Sequence, residues 1–243
     1  MYIIGDTHGL QNLYNILKSY TEQHEINDDV FIHVGDVGIG FDKWKRDRHE
    51  LQKIDALMRN AQCRLLMIRG NHDNPIYWSE DLDTLPEYAN AVQDLQSLTN
   101  IELISDYTVS TINNKRILFV GGAISVDRNL RTEGRDYWRD EAIRMFPLDV
   151  FEQEKYNGVD TLITHSNLNL LPPFGNVYEL FGQELGDDLT KERAYLTALY
   201  NKLNDRHPIT HYFYGHHHQA NVSYVNNTRF ECVDQDTIVE WRV

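Results

Sequence analysis

Met1-Tyr2-Ile3-Ile4-Gly5-Asp6-Thr7-His8-Gly9 opens the chain, and Leu10, Leu13, Leu17 and Tyr20 follow at helical spacing. An apolar run, a glycine turn carrying Asp and His, and then a helical period make one strand–turn–helix unit. The unit recurs. Residues 30–34 run into Gly35-Asp36, with Leu51, Ile54 and Met58 keeping a helical period behind them, and residues 64–68 run into Gly70-Asn71-His72-Asp73. Strand–helix–strand–helix–strand over residues 2–68 predicts parallel βαβ units, whose strand C-termini share one edge where ligand crevices form.

Working outward, residues 117–120, 161–164 and 211–214 are further strand-like runs, the last two ending in Thr164-His165 and Gly215-His216-His217-His218. Most of these runs are continuously apolar, as strands covered on both faces are. Leu196, Leu199 and Leu203 predict a helix that His207-Pro208 stops. The tail alternates instead. Residues 221–225, 228–232 and 237–243, with Asn226-Asn227 as a turn, predict an antiparallel meander. A second sheet should therefore pack against the first, with helices outside both, as a mixed α/β sandwich. No repeat, low-complexity tract or long linker interrupts the chain, so residues 1–243 read as a single domain.

The net charge of −14 repels phosphate backbones at long range, which disfavours a partner that is a long nucleic acid. Cys63 and Cys232 are too few for a disulfide scaffold or a Cys-rich zinc module, and both sit in apolar runs as buried thiols would. No stretch approaches 18 apolar residues and no basic leader precedes the first strand, so the expected location is cytoplasmic, away from membranes. The sequence is silent on oligomeric state.

Five successive runs deliver Asp, His or Asn to one edge: Asp6, His8, Asp36, Asn71, His165, His216 and His218. These are two carboxylates, one amide oxygen and four imidazoles, with no thiolate. Seven donors exceed one tetrahedral site and suit two metals if one carboxylate bridges. Nitrogen and oxygen donors without sulfur suit Mn²⁺, Fe or Zn²⁺ and do not choose among them; manganese is taken first, with iron and zinc beside it. Asp-x-His and His-x-His place alternate side chains on one side of an extended segment, as chelation needs.

Together these motifs resemble those of the calcineurin-like metallophosphoesterase superfamily, and of its small bacterial and phage members in particular. The pattern Gly-Asp-x-His, Gly-Asp, Gly-Asn-His-Asp/Glu, a separate His and Gly-His-x-His is matched from Gly5 to His218. The resemblance implies a four-layer αββα sandwich, two mixed β-sheets flanked by helices, with a dinuclear site at the strand C-terminal ends. It also implies that Asp6, His8, Asp36 and His218 hold one metal and Asp36, Asn71, His165 and His216 the other, Asp36 bridging. His72 would lie by the substrate as a catalytic group, protonated to steady developing charge or to protonate the leaving oxygen. The implied activity is hydrolysis of a phosphomonoester or phosphodiester in a small-molecule or nucleotide substrate, by direct attack of a metal-bridging hydroxide without a phospho-enzyme. The alternatives are a non-catalytic scaffold on the same fold, a protein phosphatase or a nuclease.

One departure separates this chain from the Ser/Thr protein phosphatases, whose second motif continues to Asp-Arg-Gly. Ile39 and Gly40 stand at the Asp and Arg places, which counts against a phosphoprotein substrate and leaves open what orients His72. Asp73 is a candidate, though its adjacency is awkward. Gly121-Gly122 after a strand leads to Ser125, Asp127, Arg128 and Arg131, and this loop is expected to reach the site. There Arg128 and Arg131, with Asn71 and His72, would bind the phosphate. Trp138 is expected to pack, His33 and His211 to lie in the core, and His217 at the surface. Residues 166–188 read as a long loop, in which Phe174, Tyr178 and Phe181 would line a substrate cleft.

Overall fold

The computed structural model describes residues 1–41, 43–171 and 177–242. Strands β1 (Tyr2–Ile4), β2 (Val30–His33), β3 (Arg64–Met67) and β4 (Ile101–Leu103) run parallel in one sheet. Between them lie α1 (Leu10–His24), α2 (Trp44–Asn60) and α3 (Ala89–Gln96). The second sheet has the order β5-β6-β7-β8-β10-β9. Its parallel centre is β6 (Lys115–Val120), β7 (Thr161–Thr164), β8 (His211–Tyr214) and β10 (Thr228–Cys232). Antiparallel edges are added by β5 (Val109–Ile112) and β9 (Asn221–Val225).

Alternation along each strand explains why the runs are apolar throughout. Ile3, Ile32, Leu66, Ile117, Phe119, Ile163 and Phe213 face the space between the sheets. Their neighbours Ile4, Phe31, Leu65 and Met67 meet Leu10, Leu13, Leu17, Leu51, Ile54 and Met58 of α1 and α2. On the far side, Leu118, Leu162 and Tyr212 meet Leu196, Leu199 and Leu203 of α4 (Val177–Asn204). Three apolar layers between four structural layers give the αββα sandwich that the motifs implied. Cys63 and Cys232 are buried free thiols, and among the described residues no helix is long and apolar enough to cross a membrane.

The tail is not a meander. β9 and β10 form a hairpin whose turn puts Asn226 and Asn227 at φ 49° and 69°, as a two-residue hairpin loop requires. But β10 lies parallel to β8, and β11 (Ile238–Glu240) crosses to the other sheet to pair antiparallel with β1. There it covers an edge that β1 would otherwise expose; alternation identifies a strand but not its neighbour. Residues 166–188 also differ from the expected loop, since α4 begins at Val177 and is broken at Gly182, φ 78°. Tyr178 lies over Gly186, where a Cβ would meet its ring at 2.6 Å. Phe181 is on the same first turns of α4, and Phe174 lies outside the described residues.

Candidate metal centre

The five strand ends converge. Asp6, His8, Asp36 and His218 form one group whose donor atoms lie within 4.8 Å of one another, and Asp36, His165 and His216 form a second. Asn71 joins the second, its Oδ1 3.1 Å from His165 Nε2. Asp36 belongs to both groups. Its Oδ2 faces His8 Nδ1 at 3.9 Å, while its Oδ1 lies 3.3 Å from His165 Nε2 and accepts the His72 N–H at 2.7 Å. Asp6 accepts the His216 N–H at 3.0 Å and contacts His218 Nε2 at 3.1 Å.

Backbone geometry sets this convergence at a cost. His8, Asp36, His216 and His218 all have positive φ, at 47°, 59°, 68° and 46°. Left-handed conformations cost a non-glycine residue about 1–3 kcal/mol and persist where surroundings over-determine them, characteristically at functional sites. Glycine makes the close approach. A Cβ at Gly70 would lie 2.1 Å from Asp36 Oδ1, and one at Gly215 would lie 2.2 Å from Asp6 Oδ1. Gly215→Ala is therefore expected to displace the Asp6 carboxylate, costing about 1–3 kcal/mol by overpacking and lowering metal uptake. Urea unfolding of the chelated protein and metal analysis of the dialysed protein check the two effects.

The charges fit cations. Burial opposes ionisation of Asp36, but the neighbouring His165, helped by His72 and His216, holds its carboxyl below the usual range. Burial likewise opposes a charged His165, yet Asp36 and Asp6 outweigh it and push that imidazole up to about 10. A buried acid pair that draws up protons in this way is one that divalent cations can satisfy instead. The donors are all nitrogen or oxygen, one carboxylate faces both groups, and room is kept by glycine; the residues present fit a pair of divalent ions.

His72 stands beside this centre, its ring 4.8 Å from that of His8. Phe41 stacks on it at 5.6 Å, and Trp138, mostly buried, braces Phe41 edge-on at 5.1 Å. Arg131 lies against the ring, Nη1 3.2 Å from Nδ1 and Nη2 2.8 Å from Nε2, and is itself held by Asp127 at 2.7 Å from its Nε. Burial lowers the His72 pKa; the Asp36 charge works against this and the Arg131 charge with it, leaving about 4. These surroundings favour the neutral imidazole, where the resemblance implies a protonated one. Asp73 does not support it, because its carboxylate is taken up by backbone N–H groups of Val37, Gly38, Ile39 and Gly70. What orients His72 is Phe41, Arg131 and its own N–H to Asp36; a ring-on-ring contact across 31 residues leaves no local signal in the sequence.

The Gly-Gly loop reaches the site, and its two arginines part there. Arg131 meets His72, but Arg128 donates to Asp188 of α4 at 2.8 Å, with Glu184 at 3.8 Å. Ser125, also on this loop, accepts from Asn71 Nδ2 at 2.9 Å. His33 is fully buried, its Nδ1 accepting the Gly35 N–H at 3.2 Å so that Nε2 donates to Thr7 at 3.1 Å. Burial pushes its pKa down to about 3. His211 is half-buried between Phe213 and Trp241. His217 is not the surface residue expected: it is half-buried against Tyr214 and His216, because the turn that sends its neighbours to the centre folds it back on β8.

A family model described as calcineurin-like phosphoesterase matches residues 1–220. A solved structure provisionally described as a 5′-nucleotidase from Staphylococcus aureus superposes with a TM-score of 0.52 at 12% identity. The match covers 98% of this chain and 49% of that one, and at this identity it is a likeness of fold. Phosphopantetheinyl hydrolase from Mycobacterium tuberculosis superposes at 0.49 with 17% identity, covering 97% of this chain and 89% of its own. Among curated proteins none matches.

Proposed function

The chain belongs to the calcineurin-like phosphoesterase family, and on that premise we propose that it is a two-metal hydrolase of small-molecule or nucleotide phosphate esters. The family makes it a metal-dependent phosphoesterase; the narrower reading is carried by Asp36, whose two oxygens face the two donor groups. Asp6, His8, Asp36 and His218 would hold one ion and Asp36, Asn71, His165 and His216 the other. Manganese is the first candidate, then iron or zinc. When bound, the ions supply Lewis acidity toward phosphoryl oxygens and draw a nucleophile from water, so that no residue of the chain carries the phosphoryl group.

The chain's own residues then bind and orient. Arg131 presents two N–H donors of its fork beside His72, the geometry that suits a phosphoryl group. Neutral His72 keeps one N–H to donate to an ester oxygen. Arg128, tied to Asp188, serves the loop rather than the phosphate. A phosphoprotein substrate is disfavoured further by Gly40, φ 94°, where a Cβ would lie 2.3 Å from that of Asn74. No arginine can be placed there, and Arg131 arrives from another segment.

The test is hydrolysis of a nitrophenyl phosphomonoester and its bis-ester by chelator-stripped protein refilled separately with Mn²⁺, Fe²⁺ and Zn²⁺. Metal-restored turnover is expected, and the ratio of the two esters names the substrate class. Protein that holds two metals and turns over neither ester would favour the scaffold. Arg131→Ala is expected to lower kcat/KM roughly a hundredfold, the scale of losing one preorganised charge-stabilising donor, with metal content unchanged. Arg131→Lys should not restore it, since an ammonium lacks the fork.

A further inference from the structure

We propose that Ser125 and Glu141 are positioning residues that decide which end of the Asn71 carboxamide faces the metal pair. The inference rests on the two-metal reading, in which Asn71 is a ligand through Oδ1. An amide side chain has a donor end and an acceptor end of nearly equal size, and only the oxygen can ligate a cation. Something must choose between them.

The choice is made by a chain whose polarity the ionised Glu141 carboxylate sets, above a pKa that burial pushes up to about 7 against its two Ser125 donors. Glu141 is buried, and its carboxylate accepts at both oxygens, from the Ser125 N–H at 2.7 Å and from the Ser125 hydroxyl at 2.7 Å. A hydroxyl donates one hydrogen. With that hydrogen spent on Glu141, Ser125 Oγ can only accept from Asn71, and it does so from Nδ2 at 2.9 Å. The amide nitrogen is thereby turned away and Oδ1 toward His165 Nε2, 3.1 Å off.

The relay is anchored on the strand end that carries the ligand. Arg69, two residues before Asn71 and almost fully buried, donates to the Glu141 carbonyl at 2.7 Å and the Ala142 carbonyl at 3.0 Å, while Asp106 balances its charge at 2.8 Å. Its own carbonyl accepts the Gly122 N–H at 2.8 Å, and the Ala123 N–H reaches the Glu141 carbonyl at 3.2 Å. Both halves of the relay therefore register on residue 69, and the hydroxyl meets the amide without a flexible link.

Glu141→Gln tests the polarity without changing the shape. A glutamine NH₂ facing Ser125 Oγ would free the hydroxyl hydrogen to point at Asn71, and the amide would lose its reason to turn. Ser125→Ala removes the hydroxyl altogether and serves if the first variant folds poorly. Chelator-stripped proteins would be titrated with Mn²⁺ by calorimetry, followed by melting of the metal-free forms and by activity against Mn²⁺ concentration. We expect two binding steps in the unsubstituted protein and one of them weakened roughly 10- to 100-fold in either variant, the scale for partners that orient metal ligands. The other step should be unchanged and kcat should recover at saturating Mn²⁺, while the metal-free melting temperature falls in Ser125→Ala, which leaves one oxygen of the buried Glu141 carboxylate without its donor. Two unaltered steps in both variants, or both steps weakened to the same extent, would overturn the relay. A single step in the unsubstituted protein would overturn the two-metal reading, and the relay with it.

Discussion

Asp36→Asn is expected to take the protein from two bound metals to one or none and to lower hydrolysis at least about a thousandfold, since the pair of ions is worth several kcal/mol to the transition state. The substitution is chosen because it alters charge and little else. An asparagine keeps an oxygen that can accept the His72 N–H, now held at 2.7 Å, so the turn that carries His72 retains its local support. What it cannot keep is a pair of anionic oxygens facing the two donor groups at once. His165 would also lose the carboxylate that contributes most to keeping it charged. Metal analysis after dialysis and kcat/KM on the nitrophenyl esters read the two effects separately. Unchanged metal content and unchanged turnover would remove Asp36 from the bridging position.

How much of this was legible in the sequence depends on how far apart the interacting residues lie. Asp6, His8, Asp36, Asn71, His165, His216 and His218 could be picked out because each follows an apolar run within a few residues, and parallel strands bring their C-termini to one edge whatever the loops do. The alternating layers of Ile3 and Ile4, or Leu65 and Leu66, were likewise implied by runs apolar on both faces. Ser125 and Glu141 were not legible as supports of Asn71, since their contact spans 54 residues on one side and 16 on the other and depends on loop conformation. Arg128 and Arg131 look equivalent on paper. A single turn of 3₁₀ helix at Arg128–Leu130 sends one to α4 and the other to His72. Partner choice hid the tail too: β10 and β11 have strand patterns, but nothing in their alternation says that one joins β8 and the other β1.

Asp73→Ala is expected to cost about 3–5 kcal/mol of stability, the scale of removing one partner from a buried charged network, and to weaken metal binding in the same protein. Asp73 is fully buried and accepts four backbone N–H groups, from Val37 at 3.2 Å, Gly38 at 2.7 Å, Ile39 at 3.0 Å and Gly70 at 2.8 Å. Three of these belong to the loop after Asp36 and the fourth to the turn before Asn71, so one carboxylate ties together the segments that carry two candidate ligands. An alanine strands all four donors. The loss is less than four separate penalties, because water can enter the vacated space and satisfy some of them. Burial and the Asp36 charge push the Asp73 carboxyl up to about 6 despite its donors, so at pH 7 it is ionised at a cost that the hydrogen bonds only partly offset. Asp73→Asn sheds that charge and keeps one acceptor oxygen, and it should therefore be the milder variant. Urea unfolding of the chelated proteins gives the order, and Mn²⁺ titration gives the coupling to Asp36. A loss below about 1 kcal/mol in Asp73→Ala, within the reach of a surface substitution, would mean that the Asp36 loop holds its left-handed turn without this carboxylate.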